Sequence, residues 1–297
     1  MKTVCFLGDS ITRRGYWIAE ILEHLKKDGT VVYNCGVSGD NATAATRLYT
    51  DCLCRTPDTV AVMFGMNDVG RALYDEGATG NEEKKRERIE RYQRAIRRLT
   101  DMIREAGADV ILCTPTPCND VSPSPLPKNN TNDGLALCAQ FIRELAAEQG
   151  IPCVDFFAAL RPLLGREYDT LPDQVHPTPE SHHIMAQIFL KTLGYTDRID
   201  PTPFLPMREE AQARFDVEQK LREIHFIEWN LMYGERVRRK MTHADFLALA
   251  EERLGRAEEK KNATEIRWYS NYLDTVENRW EYEDELIRRT LQMAARR

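Results

Sequence analysis

Over its first two-thirds the chain alternates short apolar runs with amphipathic stretches, and this alternation is the strongest constraint on its fold. Five runs are strand candidates: Thr3–Leu7, Val31–Cys35, Thr59–Phe64, Asp109–Cys113 and Ile151–Phe156. Between them, apolar residues recur at three- and four-residue spacing, the period of a helix with one buried face. Ile18, Ile21, Leu22 and Leu25 repeat in this way until Asp28-Gly29 stops the pattern. A charged segment from Glu82 to Ala106 carries the stripe Ile89, Tyr92, Ile96, Leu99 and Ile103. Further helices are expected over Leu135–Gln149 and from Pro179, where Thr178 can cap the first turn. Such alternation implies right-handed crossovers and a mostly parallel sheet covered on both faces. The expected fold is α/β: three α/β/α layers around a five-stranded sheet. Ligands of such sheets bind beyond the carboxyl ends of the strands.

Residues 1–195 form the expected α/β domain. Residues 196–207 carry three prolines and read as a linker. From 208 to 297 no strand-like run occurs, and charges and aromatics dominate: Phe215, Phe226, Trp229, Tyr233, Phe246, Trp268, Tyr272 and Trp280. This is an all-helical extension. Its aromatics pack the helices on each other or on the main domain, or else form a homodimer interface or a lid. No heptad persists long enough for a coiled coil.

The net charge of −6 offers no attraction for nucleic acid or an anionic membrane. No apolar stretch reaches the length of a membrane span. The apolar run at the N-terminus is too short for a signal-peptide core, so a cytoplasmic protein is expected. The eight cysteines are scattered, and Cys5, Cys113 and Cys153 fall inside strand candidates, which suits a reducing compartment. Cys52-Leu-Cys54 has the wrong spacing for a zinc knuckle. Neither a metal nor a cofactor is expected.

Polar motifs follow four of these elements. Gly8-Asp9-Ser10 follows the first strand; alone, it is a common turn and helix cap. Asn34-Cys35-Gly36-Val37-Ser38-Gly39-Asp40-Asn41 closes the second, Gly65-Met66-Asn67-Asp68 the third, and Asp173-Gln174-Val175-His176 lies on a loop beyond the fifth. In order, spacing and context the four resemble the blocks of the SGNH/GDSL hydrolase superfamily, over residues 1–195. Ile11 stands where the GDSL name has leucine, and the position is apolar either way.

The resemblance implies a flavodoxin-like SGNH hydrolase fold and a serine esterase mechanism. It implies Ser10 as nucleophile, His176 as general base and Asp173 as the residue that orients it. It implies an oxyanion hole built from the backbone N–H of Ser10, the backbone N–H of Gly39 and the side-chain amide of Asn67. The chemistry is consistent with these types. Glycine lets backbone approach a substrate closely, and a histidine titrates near neutrality, so it can take and return a proton. Placed donors stabilise a tetrahedral oxyanion. Asp9 and Asp68 read as structural, and His182 and His183 as packing or solvent residues.

The substrate expected is a short-chain ester, such as acetyl, of a carbohydrate or other small polar alcohol. Arg13, Asn41, Arg71 and Tyr74 neighbour the motifs and are candidate substrate-binding residues. Alternatives are an acyltransferase, lysophospholipase or thioesterase of the same superfamily, or a non-catalytic interaction protein that works through the helical tail.

Overall fold

The structure, a computed structural model, describes residues 3–25, 28–44, 47–122, 129–196, 224, 227 and 243–276. Strands β1 (Thr3–Gly8), β2 (Val31–Gly36), β3 (Thr59–Met63), β4 (Asp109–Cys113) and β5 (Cys153–Val154) form one sheet. Its order is β2-β1-β3-β4-β5, and every neighbouring pair is parallel. The helices are α1 (Ser10–Arg14), α2 (Tyr16–Leu25), α3 (Leu48–Asp51), α4 (Glu82–Glu105), α5 (Thr131–Gln149), α6 (Phe156–Leu160), α7 (Pro179–Thr192), α8 (His243–Glu259) and α9 (Ala263–Val276).

The connection out of β1 leads to one sheet edge, and the connection out of β2 returns past β1 to β3. The order therefore reverses between β1 and β3, the kind of switch point beyond which α/β sheets bind ligands. Right-handed crossovers place α2 on one face of the sheet and α3, α4 and α5 on the other. Helix α7 returns to pack on α2. Phe6 of β1 joins both: its ring lies 5.1 Å from Trp17 and 5.3 Å from Phe189. On the opposite face the expected stripe of α4, from Ile89 to Ile103, is buried.

The edge strand differs from expectation. The apolar run Ile151–Phe156 contributes only Cys153–Val154 to the sheet. Asp155 ends it by accepting the N–H of Ala158 (3.1 Å), which caps α6 and makes Phe156 helical. Helix α5 starts four residues before its apolar pattern, because Asn129 Oδ1 accepts from the N–H (3.2 Å) and the hydroxyl (2.6 Å) of Thr131.

His182 and His183 are both buried on α7. His183 Nδ1 pairs with Glu20 (2.7 Å), and Gln187 donates to the same carboxylate, which ties α7 to α2. Ile224, Ile227, Phe246, Ala250, Tyr272 and Val276 form a second apolar cluster, with Trp268 packed against it. Helices α8 and α9 pack on each other there. The expected linker from residue 197 onward, and Phe215, Phe226, Trp229, Tyr233 and Trp280, lie outside the described residues. Among the described residues no helix is long and apolar enough to cross a membrane.

Candidate active site

Ser10 is the first residue of α1, directly after β1. Two glycines let that short helix sit on the strand ends. A Cβ on Gly36 would lie 2.2 Å from the backbone nitrogen of Arg13, and one on Gly8 would lie 2.1 Å from Thr12 Oγ1. Asp9 caps the helix by accepting the N–H of Ile11 (2.9 Å), and Gly15 ends it in the left-handed region at φ 73°. Asn34 of β2 donates to the carbonyls of Thr12 (3.0 Å) and Arg13 (3.1 Å) and accepts from Gly36 N–H. The serine is thus held from below by both strands.

Ser10 Oγ lies 2.7 Å from His176 Nε2. On the far side of the ring, His176 Nδ1 lies 2.7 Å from Asp173 Oδ2. Asp173 Oδ1 accepts the backbone N–H groups of Val175 and His176, both at 2.9 Å. Burial pushes this carboxyl up, but the N–H groups of His176 and Val175 and the imidazole outweigh it and hold the carboxyl below its ordinary value. The three residues the sequence selected therefore stand in one hydrogen-bonded line.

The loop that carries Asp173 and His176 is fastened at several points. Gln174 takes a left-handed φ of 65°, uncommon for a residue with a side chain. Its carbonyl accepts the N–H of Asn119 at 2.8 Å. Arg71 donates to the carbonyl of Asp173 (2.6 Å) and to the side-chain carbonyl of Gln174. Thr178 caps α7 behind the loop, as its sequence position suggested.

Gly39 and Asn67 come from the loops after β2 and β3. Gly39 has φ 81° and nothing within 4 Å of where a Cβ would stand. Asn67 donates its amide to the carbonyl of Asp40 (2.7 Å), which joins the two loops. Asp68 adds a second tie by accepting the N–H of Ala42 at 3.0 Å. Arg47 is the hub beneath. Its guanidinium pairs with Asp40 (2.6 Å) and Asp51 (2.7 Å) and donates to the carbonyls of Cys35 and Gly8. Burial pushes Asp9 up to about 7 and Asp68 up to about 6. Neither Arg47 nor Asn119 stands in a motif, and their roles arise from contacts distant in sequence.

The four candidate substrate-binding residues have different surroundings. Arg13 is 2% exposed, which leaves almost no surface for a substrate. Tyr74 is also buried, and it borders a pocket of about 290 Å³ with Asp75, Lys85, Asn129 and Asp133, whose lining does not include Ser10. The Asn41 side-chain oxygen Oδ1 accepts from the N–H and the hydroxyl of Thr43. Arg71 is spent on the Asp173–Gln174 loop.

Residues 6–184 match the GDSL-like Lipase/Acylhydrolase family. An acetylxylan esterase of Geobacillus stearothermophilus is 28% identical over 216 residues, which cover 65% of this chain and 94% of that protein. The crystal structure of Axe2, an acetylxylan esterase from that organism, is 25% identical with a TM-score of 0.53, over 66% of this chain and 95% of that one. Structures of catalytic mutants of Axe2 carry alanine in place of a serine, an aspartate and a histidine in turn. A gut microbial diltiazem-metabolizing enzyme has a TM-score of 0.66 over 99% of this chain and 95% of that one, at 14% identity, a likeness of fold alone. The family match spans more than half of the chain: this protein belongs to the GDSL-like lipase/acylhydrolase family and is an ester-hydrolysing serine hydrolase.

Proposed function

We propose that this protein removes short acyl groups, acetyl foremost, from a carbohydrate or another small polar alcohol, through an acyl-enzyme on Ser10. The observation that carries this reading is the line from Ser10 Oγ through His176 to Asp173, with both links at 2.7 Å. Asp173 accepts from Nδ1–H and thereby fixes the tautomer whose Nε2 is free to take the serine proton. Ser10 Oγ attacks the ester carbonyl and His176 Nε2 receives its proton. The carbonyl oxygen, now an oxyanion, accepts from the N–H groups of Ser10 and Gly39 and from the Asn67 amide. One amide hydrogen of Asn67 is held by the Asp40 carbonyl, and in this reading the second donates to the oxyanion. His176 then protonates the departing alcohol. Water repeats the sequence on the acyl-enzyme and releases the carboxylic acid.

The acetyl and carbohydrate part draws on the acetylxylan esterase relative. This reading draws little on the four residues first considered for substrate contact: Arg13 and Tyr74 are buried, Arg71 holds the Asp173–Gln174 loop, and Asn41 Oδ1 is bonded to Thr43. A cytoplasmic location is part of the proposal and is supported by the eight unbridged cysteines.

The test is acetate release from acetylated xylo-oligosaccharides, alongside long-chain and lysophospholipid esters. Wild type should favour acetyl esters, and Ser10→Ala should reduce the rate by at least about a thousandfold. Undiminished turnover in Ser10→Ala removes the nucleophile assignment. A preference for long acyl chains removes the substrate assignment.

A further inference from the structure

Outside the hydrolytic site, the sheet buries a second group of reactive side chains. Cys5 lies on β1, Cys35 on β2, and Cys52 just after α3. Phe6 points toward α2 and α7, so its neighbour Cys5 points to the opposite face, where α3 covers the sheet. There the three sulfur atoms lie within 4.8 Å of one another. Cys5 and Cys52 are 0% exposed and Cys35 is 2% exposed. The Cys35 thiol donates to the carbonyl of Asp51 (3.1 Å), and the Cys5 thiol makes a long contact with that of Cys52 (3.8 Å).

We propose that Cys5, Cys35 and Cys52 form a buried three-thiolate site for one soft monovalent cation of the Cu(I) type. Three sulfurs around one ion at about 2.3 Å stand about 4 Å apart, so closure needs shifts below about 1 Å. Thiolates favour soft ions. A four-coordinate zinc ion would need a further ligand, and the sequence spacing offers no second cysteine pair. A three-coordinate ion is complete with the sulfurs present.

Binding displaces three thiol protons: one Cu(I) and three thiols become a complex of charge −2 and three released protons. Such an ion would tie together β1, β2 and α3, whose loops carry Ser10 and Gly39.

The test is anaerobic titration of the full-length protein with Cu(I) against the competing ligand bicinchoninate. It is run on the native protein and on protein refolded with Cu(I) present, so that slow entry into the core cannot hide binding. The wild type, Cys54→Ser (which lacks the exposed thiol) and Cys138→Ala (which lacks a buried thiol on α5) should each withdraw one equivalent. X-ray absorption should show three sulfur neighbours. Cys52→Ala and Cys35→Ala, with folding checked by circular dichroism, should bind at least tenfold more weakly. Either variant that folds decides the matter, and both failing to fold leaves the decision to the sulfur count in wild type. The proposal is overturned if wild type leaves Cu(I) with bicinchoninate under both conditions. It is equally overturned if folded Cys52→Ala or Cys35→Ala binds as tightly as wild type, or if the ion has fewer than three sulfur neighbours.

Discussion

Replacing Arg71 with alanine tests how the acid–base pair is held. Arg71 makes two hydrogen bonds to a loop about a hundred residues away in sequence, one to the Asp173 carbonyl at 2.6 Å and one to the Gln174 side chain. Hydrogen bonds from charged donors contribute about 1.5–3 kcal/mol each when buried. Arg71 is half-buried, so solvent screening reduces the expected loss to about 1–2 kcal/mol for the pair. The loop has a reason to relax, since Gln174 is held at a φ of 65° that costs on the order of 1 kcal/mol. If the released loop moves His176 off Ser10, the loss appears in the transition state, where about 1.4 kcal/mol corresponds to tenfold in rate. The expected result is a kcat lowered about 5- to 30-fold on a short-chain p-nitrophenyl ester, with KM nearly unchanged. Arg71→Lys should recover part of the loss, because one ammonium cannot span both acceptors. Steady-state kinetics and thermal unfolding are measured together. A raised KM with unchanged kcat would refute the reasoning and return Arg71 to the substrate-contacting role suggested by its place beside Asn67.

Three further outcomes are expected. Asp173→Asn retains an acceptor for the Val175 and His176 N–H groups but can offer an amide hydrogen to Nδ1, so kcat should fall by about 10⁴ with little loss of stability; equal kinetics would show that the carboxylate does not set the tautomer. Asp9 has its carboxyl raised from 3.8 to about 7 by burial. Between those pH values the unfolded chain gives up this proton and the folded chain keeps it, so rising pH costs stability across the window, by at most about 4 kcal/mol, and none further above it. Asp68 acts in the same direction up to about 6. Asp9→Asn keeps an acceptor for Ile11 N–H and should unfold at higher temperature than wild type at pH 8, the gap narrowing toward pH 4; a constant gap would refute the burial argument. Gly36→Ala places a methyl 2.2 Å from Arg13 N, so denaturant unfolding should show a loss of about 3 kcal/mol or more; a wild-type midpoint would mean that α1 is free to shift.

Much of this protein was determined by local sequence. Strand and helix periodicities depend on which face is buried, and they located β1 to β4 and helices α2 and α4, but not the short helices α1 and α3. The motifs stand at strand ends because a parallel sheet puts its loops there, and their resemblance to the SGNH/GDSL blocks singled out Ser10, Gly39, Asn67, Asp173 and His176 as candidates before any coordinates. The length of β5 could not, because an edge strand and a capped helix compete for the same apolar run and the Asp155 side chain decides between them. Nor could the work of Arg13, Asn41, Arg71 and Tyr74 be read from their nearness to the motifs. Side-chain direction is set by what packs on each residue, and that is known only once distant segments meet. The same holds for the Arg47 hub and for the three thiols of Cys5, Cys35 and Cys52. No spacing along the chain announces them, because each arises where two parallel strands and the crossover after β2 come together in space.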